Sequence, residues 1–159
     1  MAYWLIKSEP GCFSIDDLAA APDRTTGWDG VRNFQARNFL RAMRLGDGLL
    51  FYHSVTDPGV VGLAEVAREA YPDATAQDPD SGHFDPRASP DKPLWDMVDV
   101  RFVAKFPAPV PLAALRGVPE LAGMEVLRKG SRLSVTPVTD REFAVIRAMG
   151  LGQGGPGTR

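Results

Sequence analysis

The first apolar run, Tyr3-Trp4-Leu5-Ile6, has no polar face until Lys7. In an extended chain Tyr3, Leu5, Lys7 and Glu9 share one side, and Trp4, Ile6 and Ser8 share the other. Apolar residues on both sides predict a central strand over 2–7, covered on both faces and ended by Pro10-Gly11. Ser14-Ile15-Asp16-Asp17 then marks a helix start. Ser14 is a good N-cap, Asp17 places negative charge in the first turn, and Phe13 and Leu18 occupy staple positions. Pro22 closes that helix. Ala36, Phe39, Leu40 and Met43 recur at helical spacing and predict a second helix over 33–44, capped by Gly46.

Residues 48–54 and 60–68 predict a hairpin, turned through Thr56-Asp57-Pro58-Gly59. Over 97–106, Val98, Val100, Phe102, Ala104 and Phe106 alternate with Asp99, Arg101 and Lys105, the pattern of a half-buried antiparallel strand. Short helices over 111–117 and 121–127 and a strand over 131–136 follow. Thr139 to Glu142 is a capping box, and Phe143, Ile146 and Met149 form the inner face of a last helix ended by Gly150. The Gly-rich residues 151–159 are expected to be disordered. The spacing is wrong for repeated βαβ units. It predicts an α+β domain over 1–150, built on an antiparallel, barrel-like sheet with helices around it.

One connection is unusual. Pro72 to Pro93 contains five prolines and five aspartates, and loops this long are usually functional or mobile. Within it, Asp78 to Asp85 lacks the spacing of a calcium loop and reads as a solvated acidic segment.

Bulk properties narrow the function classes. A chain of 159 residues can bury a core without staples. A net charge of −2 argues against a general electrostatic grip on a duplex. Cys12 stands alone, which excludes an internal disulfide and a multi-cysteine zinc site. With no apolar run of spanning length and no secretory pattern at the start, a cytoplasmic monomer without membrane contact is expected. No cofactor or metal is implied.

Against this acidic background, Arg32, Arg37, Arg41 and Arg44 form a local basic strip with no acid among them. Three segments set polar groups against aromatic ones at the edges of buried elements: Tyr3 to Pro10, Trp28 to Arg41, and Phe51-Tyr52-His53-Ser54. Burying a polar group is unfavourable unless it is paired, so such edges predict a lined pocket for a planar, polar ligand near a phosphate.

These same segments carry a family likeness. Tyr3-Trp4-Leu5-Ile6-Lys7-Ser8-Glu9-Pro10 resembles the opening signature of EVE domains, and Trp28-Asp29-Gly30-Val31-Arg32-Asn33-Phe34-Gln35-Ala36-Arg37-Asn38-Phe39-Leu40-Arg41 resembles their second. Phe51-Tyr52-His53-Ser54, Pro58-Gly59-Val60-Val61-Gly62, Trp95-Asp96-Met97-Val98 and Leu133-Ser134-Val135-Thr136-Pro137 follow in the family's order. The resemblance implies a PUA-like fold, related to YTH and ASCH domains. It also implies a non-catalytic reader that takes a modified base, a cytosine derivative first among them, from DNA or RNA into a pocket.

On that reading Trp28 is the stacking wall, with Trp4 or Tyr52 as a second surface, and removing Trp28 would spare the fold. Ser8, Asn33, Asn38 and Ser54 supply donors and acceptors for the base edge. Lys7 and Arg32 hold a flanking phosphate, and Arg37 and Arg41 extend the grip. Each has a plainer alternative: core packing for the aromatics, helix capping for Asn33, a solvated helix face for the arginines, a Lys7–Glu9 pair for Lys7. His53 reads as a satisfied core residue. The rival function is an ASCH-like hydrolase acting on modified nucleosides or nucleic acid, with Lys7 as base, Glu9, and Ser8 or Ser54. Lys129-Gly130-Ser131 lacks the glycine spacing of a P-loop.

Overall fold

In the computed structural model, which describes residues 1–152, six strands make one sheet. They are β1 (Tyr3–Ser8), β2 (Thr25–Gly27), β3 (Gly48–His53), β4 (Gly59–Pro72), β5 (Asp96–Pro111) and β6 (Val135–Val138). Four α-helices accompany them: α1 (Ile15–Ala20), α2 (Phe34–Ala42), α3 (Leu112–Arg116) and α4 (Asp140–Gly150). Most of the Gly-rich tail, residues 153–159, lies outside the described residues.

The spatial order is β2-β5-β4-β3-β1-β6. The α+β class holds; the sheet, expected to be antiparallel and barrel-like, is mixed and open, with one parallel pair. The parallel pair is β1–β3, with Lys7 opposite Tyr52 and Ser8 opposite His53. Its cause is the crossover through α1, β2 and α2, which returns the chain to the starting end of β1 before β3 begins. The remaining pairs are antiparallel.

β1 is central, as its two-sided apolar sequence requires. Leu5 and Ile6 point to opposite faces and both are fully buried. On one face Trp4, Ile6 and Phe51 pack with Ile15 and Leu18 of α1 and with Ala36 and Leu40 of α2. On the other, Leu5, Leu50 and Tyr52 pack with Phe106, Leu115 of α3 and Ile146 of α4. Burial of each such side chain stabilises by about 1.5–3 kcal/mol. The Thr139 capping box forms, its hydroxyl accepting from the Glu142 N–H at 3.0 Å, and the Ser14 N-cap, accepting from the Asp17 N–H at 3.1 Å, is a capping box as well.

β5 departs from its simple alternation. Val98, Val100 and Phe102 join the first face, whereas Ala104, Phe106 and Val110 join the second. Register shifts along the β4–β5 ladder re-aim the side chains as the long strands bend. Gly62 sits at one shift, where a Cβ would come within 2.4 Å of the Ala104 carbonyl. β2 is three residues long and carries no readable pattern. The helix expected over 121–127 is two separate 3₁₀ turns, Pro119–Leu121 and Glu125–Leu127.

His53 anchors α1 to the sheet by accepting the Ile15 N–H at 3.1 Å through Nε2. Burial lowers its pKa; Asp16 opposes the shift and Lys105 reinforces it. The folded state therefore binds a proton less readily than the unfolded chain, so this contribution is lost as pH falls through about 6.5. His53→Gln keeps an acceptor without titrating. It should flatten the pH dependence of Tm between about pH 7 and 5, read by thermal unfolding; an unchanged profile would contradict this role.

Candidate functional site

Where β1 ends, the chain turns sharply. The Cys12 and Phe13 N–H groups both donate to the Glu9 carbonyl at 2.9 Å, and the Ser8 hydroxyl donates to the Phe13 carbonyl at 2.7 Å. The segment from Thr26 to Val31 runs alongside. Between them opens a cleft of about 420 Å³, with Lys7, Ser8 and Phe13 on one side, Thr26 to Val31 on the other, and His83 and Ser134 at its margins.

Trp28 stands at the junction of cleft and core. Its backbone N–H donates to the Val98 carbonyl at 2.7 Å, extending the edge of the sheet. Its ring meets Phe13 and Phe51 edge-on, with centroids 6.1 and 5.4 Å apart, and only 8% of the residue is exposed. Trp28 is thus a wall and a core residue together, which corrects the expectation that its removal spares the fold. Asp29 follows it, exposed and without an ion-pair partner among the described residues.

Gly30 shapes the next turn. Its φ is +82°, and a Cβ there would lie 2.7 Å from the His83 ring. Glycine meets both demands at once. Its N–H donates to Asp73 at 2.9 Å. Asp73 is fully buried and also accepts from Arg32, from the Thr75 N–H and from the Thr75 hydroxyl. Burial alone would raise its pKa, but these hydrogen bonds overcome it and hold the carboxyl below its usual value.

The long loop is therefore not simply solvated. Asp73 and Asp85 are buried anchors. Asp85 accepts from Trp95 Nε1 at 2.8 Å and from Arg87, which keeps it far below the usual carboxylate range. His83 and Phe84, midway along it, are exposed, and His83 reaches the cleft margin.

Of the residues singled out from sequence, the structure brings Lys7, Ser8 and Trp28 to the cleft. The others lie elsewhere. Arg32 is behind the wall, its five N–H bonds all used on Asp73, Thr75 and the carbonyls of Val31 and His83. Asn33 caps α2, accepting the Ala36 N–H at 2.9 Å. Asn38 accepts twice from Arg37, whose remaining nitrogen reaches the Leu94 carbonyl at 2.9 Å. Arg41 pairs with Asp96, and Arg44 with Glu69 at 3.9 Å. Arg37 and Arg41 are occupied because that face of α2 packs against Leu94 to Asp96, whereas Arg44 keeps 71% of its side chain exposed.

Tyr52 belongs to the opposite face of the sheet, and Trp4 is in the core with its indole N–H on the buried Asp47 at 3.0 Å. Neither is a second wall. Ser54 lies past the end of β3, where its N–H donates to the Ser8 carbonyl at 3.0 Å. Lys7 is half-buried over the Tyr52 ring at 6.0 Å. Burial lowers its pKa, and the opposing carboxylate is Glu125 in place of the expected Glu9. Glu9 instead accepts from the Cys12 thiol at 3.5 Å; that bond first, then its charge, raises the thiol pKa and leaves Cys12 a poor nucleophile.

Sequence reasoning missed Thr26, Asp29, His83 and Ser134. Asp29 had a signal, since it adjoins Trp28. His83 had none, because its approach to Gly30 depends on how a distant loop is anchored.

The family model for the EVE domain matches residues 2–149. Thymocyte nuclear protein 1 from Homo sapiens is 44% identical over 166 residues, covering 93% of this chain and 73% of the relative. A hypothetical protein from Leishmania major superposes with a TM-score of 0.90 at 51% identity, over 98% of each chain. The human THYN1 protein, solved in complex with DNA containing 5-methylcytosine, superposes at 0.88 with 44% identity, over 94% of this chain and 97% of that one. These likenesses establish the PUA-like architecture. An ASCH protein from Zymomonas mobilis, at 11% identity and a TM-score of 0.54, shares the fold alone. On the match over residues 2–149, this chain belongs to the EVE domain family.

Proposed function

We propose that the cleft beside Trp28 receives a modified cytosine turned out of DNA, and that the protein binds this base without changing it. The observation that carries this reading is the wall itself: an aromatic ring, an unpaired carboxylate and an apolar patch arranged around a cleft of about 420 Å³. That volume falls in the range of small-molecule sites, about 300–1,000 Å³. Support also comes from the human THYN1 protein, whose structure contains 5-methylcytosine DNA.

Turning a base out of the stack costs a few kcal/mol. Packing against an aromatic ring returns about 1–3 kcal/mol, and a hydrogen bond to a charged group contributes about 1.5–3 kcal/mol. Asp29 is the charged acceptor for the exocyclic amine of cytosine, the group that distinguishes it from thymine, which presents a carbonyl there. Phe13 and Val31 line the cleft with apolar surface for a C5 methyl. One buried methyl contributes about 0.8 kcal/mol, so methylated cytosine should be preferred about fourfold.

Asp29→Ala tests the assignment. It should weaken binding of a 5-methylcytosine oligonucleotide about tenfold to a hundredfold and leave Tm unchanged, since Asp29 is exposed. Fluorescence anisotropy and thermal unfolding give both numbers; unchanged affinity would remove Asp29 from the site.

Hydrolysis is the second reading, and one observation favours it: Lys7, one of the residues lining the cleft, carries an amine whose pKa is lowered by burial. A lysine of that kind can act as a base. Mass analysis of the bound oligonucleotide separates the two readings, because only hydrolysis changes the ligand.

A further inference from the structure

We infer that the Arg128–Arg132 turn is the phosphate-holding rim of the cleft, gripping the DNA backbone beside the base that enters. The inference rests on the nucleic-acid reading above and adds the element that makes the electrostatic contact. The turn, Arg128-Lys129-Gly130-Ser131-Arg132, carries three cations and no acid in a protein of net charge −2. It runs directly into Ser134, which lines the cleft and accepts the Lys7 N–H at 2.9 Å. That bond fixes the end of the turn to the end of β1.

Its charges are available. Glu125 is the carboxylate at this rim, and it is engaged by the Ser131 hydroxyl at 2.7 Å and by Arg128 at 3.4 Å. Arg128 nonetheless keeps 75% of its side chain exposed. Lys129 and Arg132 are exposed and form no ion pair among the described residues. The backbone N–H groups of Lys129, Gly130 and Arg132 likewise have no acceptor among the described residues. Gly130 takes φ +81° with open space where a side chain would stand, so backbone donors are accessible there. Cationic side chains together with free backbone N–H groups are what phosphate oxygens bind. Arg32, Arg37 and Arg41, to which the sequence reading gave the phosphate, are held by Asp73, the Leu94 carbonyl and Asp96 and lie outside the cleft lining, so the turn takes over their role.

The test compares wild type, the Lys129→Ala/Arg132→Ala double variant and Arg41→Ala. Binding to a duplex carrying one 5-methylcytosine is measured from low to moderate salt, and binding to free 5-methyl-2′-deoxycytidine beside it. For the double variant the slope of log K against log salt should shrink by about two, nearly 0.9 per lost contact. Its affinity for the nucleoside and its preference for methylated DNA should stay at wild-type values, and Arg41→Ala should keep the wild-type slope. An unchanged slope in the double variant would overturn the rim, as would an equal loss of nucleoside binding, which would move these residues into the base site. A wild type that shows no methyl preference, with the slope still falling in the double variant, would overturn the base reading and leave the rim standing.

Discussion

Trp28→Ala is expected to destabilise the protein by about 3–5 kcal/mol and to abolish measurable preference for a modified base. The ring is 8% exposed and wedged between Phe13 and Phe51, so its removal leaves a cavity that the sheet and the turn after β1 cannot fill. A loss of that size is about a fifth or more of the stability of a typical domain, about 5–15 kcal/mol. At about 2–4 °C per kcal/mol for a chain this long, Tm should fall by roughly 6–20 °C. Trp28→Phe keeps an aromatic wall at a smaller stability loss and should retain weakened binding. Urea unfolding of both variants, followed by binding at a temperature where each is folded, separates the two roles. A loss below about 1 kcal/mol for Trp28→Ala would mean that Trp28 is not the core residue described.

Asp73→Ala should be nearly as damaging, although Asp73 itself does not line the cleft. Four donors converge on its buried carboxylate: the Gly30 N–H, Arg32, and the N–H and hydroxyl of Thr75. Removing one partner of a buried ion pair strands the other, a loss of about 3–5 kcal/mol. Arg32 keeps 22% of its side chain exposed, so water softens the loss toward the lower value. The Asp29-Gly30 turn also loses its anchor, and with it the position of the Asp29 acceptor. Affinity for a modified-base oligonucleotide should therefore fall along with stability.

The same carboxylate makes the wild type acid-sensitive in a defined window. Its folded pKa is lowered, so its contribution is present above the unfolded value of about 3.9 and disappears as pH falls below it. Urea midpoints of wild type and Asp73→Ala, taken from neutral pH to about pH 3, should draw closer once pH falls below about 3.9. A constant separation would show that the charge of Asp73 is not what holds the turn.

The local features of this fold were readable because they are written in neighbouring residues. The two-sided apolar run of β1, the N-cap at Ser14, the capping box at Thr139, and the apolar stripe of α2 each follow from spacing alone. The parallel β1–β3 pair was not readable, because it depends on where a crossover of some forty residues returns the chain. At the site, Trp28, Lys7 and Ser8 were legible as polar and aromatic residues at element ends. The arginines misled for the opposite reason. A run of Arg32, Arg37, Arg41 and Arg44 with no nearby acid looks free in sequence, yet its partners Asp73, Leu94, Asp96 and Glu69 lie 25 to 57 positions away. The turn from Arg128 to Arg132 carries its charges as openly. What sequence could not say is that the strand after it closes against β1 and brings it to the cleft.

The central claim is that this chain reads a modified cytosine through the Trp28 cleft and leaves it intact. The most direct measurement is a pair of binding isotherms on matched duplexes that differ in one 5-methyl group, with mass analysis of the recovered strands. Binding to the methylated duplex should be about fourfold tighter, with affinity for both duplexes weakened in Asp29→Ala and both strands recovered at their starting mass. Equal affinity for the two duplexes, or a strand recovered with altered mass, would contradict it.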